Sequence, residues 1–119
     1  MYILDAHCDA PTQMYRGRNF GIDNPGVQVD FPKMIRGGVT GSFFALYIPA
    51  KLSNTEATEY AFILLEGLKK QVAANSDRVA FARNRAEMES NAAKGLVSIF
   101  IGLENGSALL GRSGVLEEL

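Results

Sequence analysis

Two residues near the start of the chain and one near its end have the types and spacing to do chemistry together. His7 and Asp9 form a His-x-Asp pair within Asp5-Ala6-His7-Cys8-Asp9. On a strand, side chains alternate, so Ile3, Asp5, His7 and Asp9 are expected on one face and Tyr2, Leu4, Ala6 and Cys8 on the other. An imidazole and a carboxylate two residues apart on one face can ligate a single divalent cation. Glu104, just before Asn105-Gly106, is the third candidate. Each has a plainer reading. Asp9 can close a turn with His7 hydrogen-bonded nearby, and Glu104 can be a turn carboxylate in Glu-Asn-Gly. Read jointly, the plainer readings weaken, because an inward-facing carboxylate is costly to bury unless something neutralises it, and a metal ion does. Cys8 falls on the opposite strand face from His7 and reads as a small buried hydrophobe rather than a nucleophile.

The elements that must position these groups follow from local pattern. Tyr2 to Asp9 reads as a strand, and Pro11 marks a turn after it. Residues 12–28 read as a polar, glycine-bearing loop. Asp30 is placed to cap a short helix opened by Phe31-Pro32 and stopped by Gly37-Gly38. Val39 to Ile48 is the second strand, closed by Pro49. Ser53-Asn54-Thr55-Glu56 fits a capping box. Ala57, Tyr60, Ala61, Leu64, Leu65, Leu68 and Val72 then keep helical spacing, predicting about five turns that end near Asn75. A third helix runs from an Asn84 cap to Lys94, with Gly95 beyond its end. The third strand, Leu96 to Glu104, has Val97, Ile99, Ile101 and Leu103 on one face and Ser98, Phe100, Gly102 and Glu104 on the other. Strands alternating with helices predict an α/β fold with a parallel sheet. The aliphatic face of the third strand should meet the helices. The first and third strands then aim polar groups from their C-terminal ends into one interior, where active sites of parallel α/β folds sit.

Composition excludes several classes of function. The chain has 119 residues, 47% hydrophobic and 21% charged, with a formal charge of −1. This is a globular balance, and it provides no basic field to attract nucleic acid or an acidic membrane. One cysteine forbids an internal disulfide. No apolar run reaches the roughly 18 to 20 residues of a membrane span, and the N-terminus carries Asp5, His7 and Asp9 where a signal peptide would be apolar. The expectation is a cytoplasmic α/β protein.

Several segments, in order along the chain, carry a resemblance. Asp5-Ala6-His7-Cys8-Asp9-Ala10-Pro11 resembles the opening strand of the renal (membrane) dipeptidase family of zinc peptidases, where an Asp-x-His-x-Asp segment supplies the first metal ligands. Val29-Asp30-Phe31-Pro32-Lys33 through Gly37-Gly38-Val39 is similar to that family's short helix and its entry into the second strand. Phe43, Phe44, Tyr47, Ile48 and Pro49 resemble its aromatic strand ending in Tyr-Val-Pro. Lys94-Gly95 to Ile101-Gly102-Leu103-Glu104-Asn105-Gly106 is similar to the segment whose Glu bridges two zinc ions, and Leu110-Gly111 to Gly114-Val115-Leu116 to the segment after it. The resemblance implies the N-terminal part, about three βα units, of a TIM-like (β/α)8 metal-dependent hydrolase barrel. It implies that His7 and Asp9 ligate one zinc, that Glu104 bridges two, and that the reaction is hydrolysis of a dipeptide by metal-activated water.

Such a barrel has eight strands over about 250 residues, whereas three strands are expected here. The family's second metal takes two histidines from later strands, and His7 is the only histidine of this chain. The expectation is therefore a single partial domain over residues 1–119, holding at most one zinc and inactive by itself. Its open sheet edge, in the strand containing Ile99 and Ile101, should pair with other protein or with itself. Ser113 to Leu119 reads as the start of another helix. Two rivals stand beside this reading. One is a small non-catalytic α/β binding or assembly module; the other is a different metal-dependent amidohydrolase, although those usually carry His-x-His where this chain has His7 and Asp9.

Overall fold

A computed structural model describes residues 1–110 and Glu117. The chain runs β1 (Leu4–Cys8), α1 (Ala10–Tyr15), α2 (Phe31–Arg36), β2 (Gly41–Tyr47), α3 (Asn54–Ala73), β3 (Val79–Phe81), α4 (Arg85–Ala93) and β4 (Val97–Glu104), followed by a 3-10 turn, Gly106–Leu109. All strand pairs are parallel, in the order β1-β2-β4-β3. The expected parallel α/β sheet is present, with β2 between the strands that carry His7 and Glu104. The expected helix over 113–119 lies outside the described residues apart from Glu117.

Helix boundaries follow their caps. Asp30 accepts from the Lys33 N–H, Asn84 from the Glu87 N–H, and Ser53 and Glu56 satisfy each other's backbone donors as a capping box. Two expectations need correction. Residues 10–15 form helix α1 rather than a turn leading into a loop. Pro11 falls in its first turn, where a missing N–H costs nothing, and Ala10 and Met14 are buried against the sheet. The sheet also has a fourth strand, because Val79–Phe81 pairs with Val97–Ile99. Three residues are too few to display a period, so the pairing is legible only in three dimensions.

That short strand changes the layering. The connection from β2 to β3 steps over β4, and the connection from β3 to β4 steps back. Right-handed crossovers in opposite directions must put their helices on opposite faces. Accordingly, Leu68 and Val72 of α3 pack with Phe44 and Ile99 on one face, whereas Met88 of α4 packs with Phe100 and Phe43 on the other. Asn91 of α4 donates to Ser98 Oγ at 3.0 Å on that second face. Phe43 and Phe100, register partners, stack with centroids 4.7 Å apart. The second face is thus covered over the N-terminal half of β4 and left open toward Gly102 and Glu104. The outer edge of β4 is paired only through Ile99 among the described residues, so β3 covers the N-terminal part of the edge expected to be open and leaves Ile101 to Glu104 unpaired there.

Residues 16–30 are pinned rather than loose. Phe20 is buried, its N–H donates to Gln71 Oε1, and Gln71 Nε2 donates to the Arg18 carbonyl. Asp30 is fully buried and accepts from the N–H groups of Asn24 and Lys33, both at 2.8 Å, while the Lys33 ammonium pairs with its carboxylate. Burial alone would raise the Asp30 pKa, but the Asn24 and Lys33 bonds outweigh it and hold the carboxyl below its ordinary value.

Candidate metal centre

The register of β1 on β2 slips between Asp5 and Cys8: Asp5 opposes Ser42 and Cys8 opposes Phe44, so three residues of β1 span two of β2. This is a β-bulge. Register partners in a parallel pair share a face, so Asp5 and Cys8 both lie on the α3 side with Ser42 and Phe44. Ala6 and His7 both line the open face. The expectation that Ile3, Asp5, His7 and Asp9 share one face fails here, because strict alternation cannot cross a bulge. Cys8 does face away from His7, packed against the core. Burial, then the nearby Asp5 and Asp9 charges, push its thiol pKa up despite a backbone bond at Ala10.

Asp9 lies just beyond β1, at the N-terminus of α1, with no side-chain cap bond of its own. The turn therefore brings it back to His7 without any help from strand alternation. His7 Nε2 is 3.4 Å from Asp9 Oδ1 and 3.1 Å from Glu104 Oε2. One donor atom from each of the three residues lies within 4.8 Å of the others. His7 and Glu104 border a pocket of about 100 Å3 that is also lined by Phe43 and by Ala6, Ala45 and Gly102, whose small size leaves it open.

Glu104 is held by the turn that follows it. Asn105 has φ 77°, uncommon for a residue with a side chain, and accepts from the Ser107 N–H. Its amide also donates 2.9 Å to the Ile48 carbonyl, while the Ile48 N–H donates to the Glu104 carbonyl. Glu-Asn-Gly is thus a turn, as its composition suggests, and one that ties the end of β4 to the end of β2. Asn105 is not among the candidate residues of the sequence, where its one signal is an Asn ahead of a Gly.

The donor set fits a divalent cation. The Glu104 side chain is 41% exposed, yet its Oε2 is buried and accepts no hydrogen bond, the nearby His7 Nε2 lacking the alignment for one. No lysine or arginine pairs with Asp9 or Glu104 among the described residues. One nitrogen and two oxygen ligands match the three-ligand pattern of catalytic zinc sites, which keep a position open for water or substrate.

A parallel α/β sheet with an imidazole and two carboxylates at the C-terminal ends of its strands defines an α/β protein with its reactive groups where such folds keep their active sites. The model of the membrane dipeptidase family (peptidase family M19) matches residues 1–119, and the chain belongs to that family. Among solved structures, the chain is similar to a metallopeptidase described as dipeptidase AC, at 24% identity and TM-score 0.83, over 99% of this chain and 40% of that one. It is similar to a metallopeptidase from Rhodobacter sphaeroides bound to a phosphinate mimic of L-Ala-D-Ala, at 22% identity and TM-score 0.82, over 99% of this chain and 43% of that one. It also matches the probable dipeptidase PvdM from Pseudomonas aeruginosa, at 20% identity and TM-score 0.85, over 99% of this chain and 32% of that one. The chain thus spans less than half the length of these structures. No helix among the described residues is long and apolar enough to cross a membrane.

Proposed function

We propose that these residues form the first half of the metal centre of a zinc-dependent dipeptidase. His7 and Asp9 hold one ion, and Glu104 reaches that ion and a second. The observation that supports this most is the convergence of the three side chains at the ends of two non-adjacent strands, with a buried Glu104 oxygen that accepts no hydrogen bond among the described residues. A bound zinc would supply Lewis-acid polarisation of a peptide carbonyl and activation of water near neutral pH.

The chain's own residues do the rest. The bulge in β1 presents the imidazole to the open face, and the Asn105 turn holds Glu104 opposite it. Ala45 and Gly102 leave room for a small substrate beside them. α4 closes the N-terminal half of that face, so a substrate sits at the C-terminal end of the sheet. Family membership and a relative that binds a dipeptide mimic favour a dipeptide as that substrate. The unpaired Ile101–Glu104 edge favours pairing with further protein there.

Elemental analysis of the 119-residue chain should find at most one zinc, because the second ion has only Glu104. Dipeptide hydrolysis should not exceed background, and His7→Ala should abolish zinc binding. Two stoichiometric zincs, or turnover that survives His7→Ala, would overturn the assignment.

A further inference from the structure

The Asp5 carboxylate lies on the α3 side of the sheet and is not part of the donor cluster, yet it is bonded to the segment that aims His7. Its Oδ1 accepts the His7 backbone N–H at 3.1 Å, and its Oδ2 accepts the Ser42 hydroxyl at 3.0 Å. Ser42 is buried and is the register partner of Asp5 on β2. One carboxylate therefore spans the bulge from its first residue to His7 and anchors it to the neighbouring strand.

The bulge matters because of side-chain direction. In a regular strand Asp5 and His7 would share a face, and the two are separated only because one extra residue lies between Asp5 and Cys8. If β1 relaxed to a regular register with Asp5 still opposite Ser42, His7 would turn toward α3 and away from Glu104. Resting on the metal-centre reading above, we propose that Asp5 is a positioning residue. It holds the β1 bulge in the form that delivers the His7 imidazole to Asp9 and Glu104, and it does so as a hydrogen-bond acceptor rather than as a ligand or a charge.

The test uses the whole chain and zinc alone as the probe. Asp5→Ala should weaken zinc binding, measured calorimetrically, by about 10- to 100-fold, the range for groups that orient metal ligands. Asp5→Asn should restore most of it, since its carbonyl oxygen can accept the His7 N–H and its amide can donate to Ser42, whose hydroxyl rotates to accept. Wild-type affinity in Asp5→Ala overturns the proposal. So does Asp5→Asn as weak as Asp5→Ala, which would make the charge the active property. Ser42→Ala, which removes one anchor and leaves the carboxylate, covers the case in which Asp5→Ala does not fold. It should give a smaller loss of affinity, and unchanged affinity together with unchanged His7 amide exchange overturns the proposal. In zinc-free protein, hydrogen exchange of the His7 amide should quicken in Asp5→Ala and Ser42→Ala. That readout separates the two claims: quickened exchange with no zinc binding even by the wild type keeps the positioning role and removes the metal, while unchanged exchange with zinc bound does the reverse.

Discussion

Two groups of acidic residues in this protein are built on opposite principles. Asp30 is fully buried, takes two backbone N–H bonds, and is neutralised by Lys33, whose ammonium also reaches Asp23 at 3.3 Å and the Val27 carbonyl at 3.1 Å. Asp9 and Glu104 stand at the open end of the sheet with one histidine between them, and one Glu104 oxygen accepts no hydrogen bond among the described residues. The chain supplies a permanent cation where a carboxylate holds the fold together. Among the described residues it supplies none where the carboxylates converge on an imidazole. A carboxylate already neutralised by an ammonium and held by backbone donors has little to gain from a ligand, so the contrast separates frame from site.

The strongest way to break the comparison is Asp30→Ala. It breaks a buried ion pair, leaving Lys33 to Asp23 and backbone carbonyls, and removes the α2 cap together with the Asn24 bond; it should cost about 3–5 kcal/mol in chemical denaturation. If the loss is under about 1 kcal/mol, Asp30 is no more structural than the open cluster. Next in size is Asn105→Ala, at the boundary between the two regions. It places a side chain without its own hydrogen bonds at φ 77° and frees the Ile48 carbonyl, with an expected cost of about 1–3 kcal/mol. Ser53→Ala removes the hydroxyl half of the α3 capping box and should cost about 1 kcal/mol. His7→Ala should be the smallest of all, within about 0.5 kcal/mol of wild type in metal-free protein, while it removes zinc binding.

Acid titration sharpens the same contrast. The depressed Asp30 pKa contributes stability that is present above the unfolded-state value of about 3.9 and is lost as pH falls below it through the folded value. Asp30→Asn should flatten that part of the acid limb, seen as a smaller drop in Tm between neutral and acidic pH. An unchanged slope would show that other carboxylates carry the acid sensitivity.

Much of the frame was legible from the residues. The Asp30, Ser53 and Asn84 caps, the apolar stripe from Ala57 to Val72 and the aliphatic odd positions of β4 each state a local rule that packing then obeys. β3 escaped because three residues carry no period, and with it went the placement of α4 on the second face. α1 escaped because proline after a strand reads as a stop, although it is equally a helix opener. At the site, the three donors were legible by type and spacing, but the route by which they meet was not. Alternation put Asp5 beside His7, and the structure separates them by a bulge that depends on the Ser42 hydroxyl, 37 residues away. Asp9 arrives by a turn rather than by the strand. Local periodicity cannot register a bond made to another strand.

The reversed crossover through β3 also divides the second face of the sheet into a roofed half and a bare one. Met88 of α4 packs with Phe100 and Phe43 at the N-terminal end, where Asn91 bonds to Ser98, while the surface beside His7 toward Gly102 and Glu104 stays uncovered among the described residues. The same short strand that escapes any sequence period thereby leaves bare the half of the sheet on which the three donor groups meet.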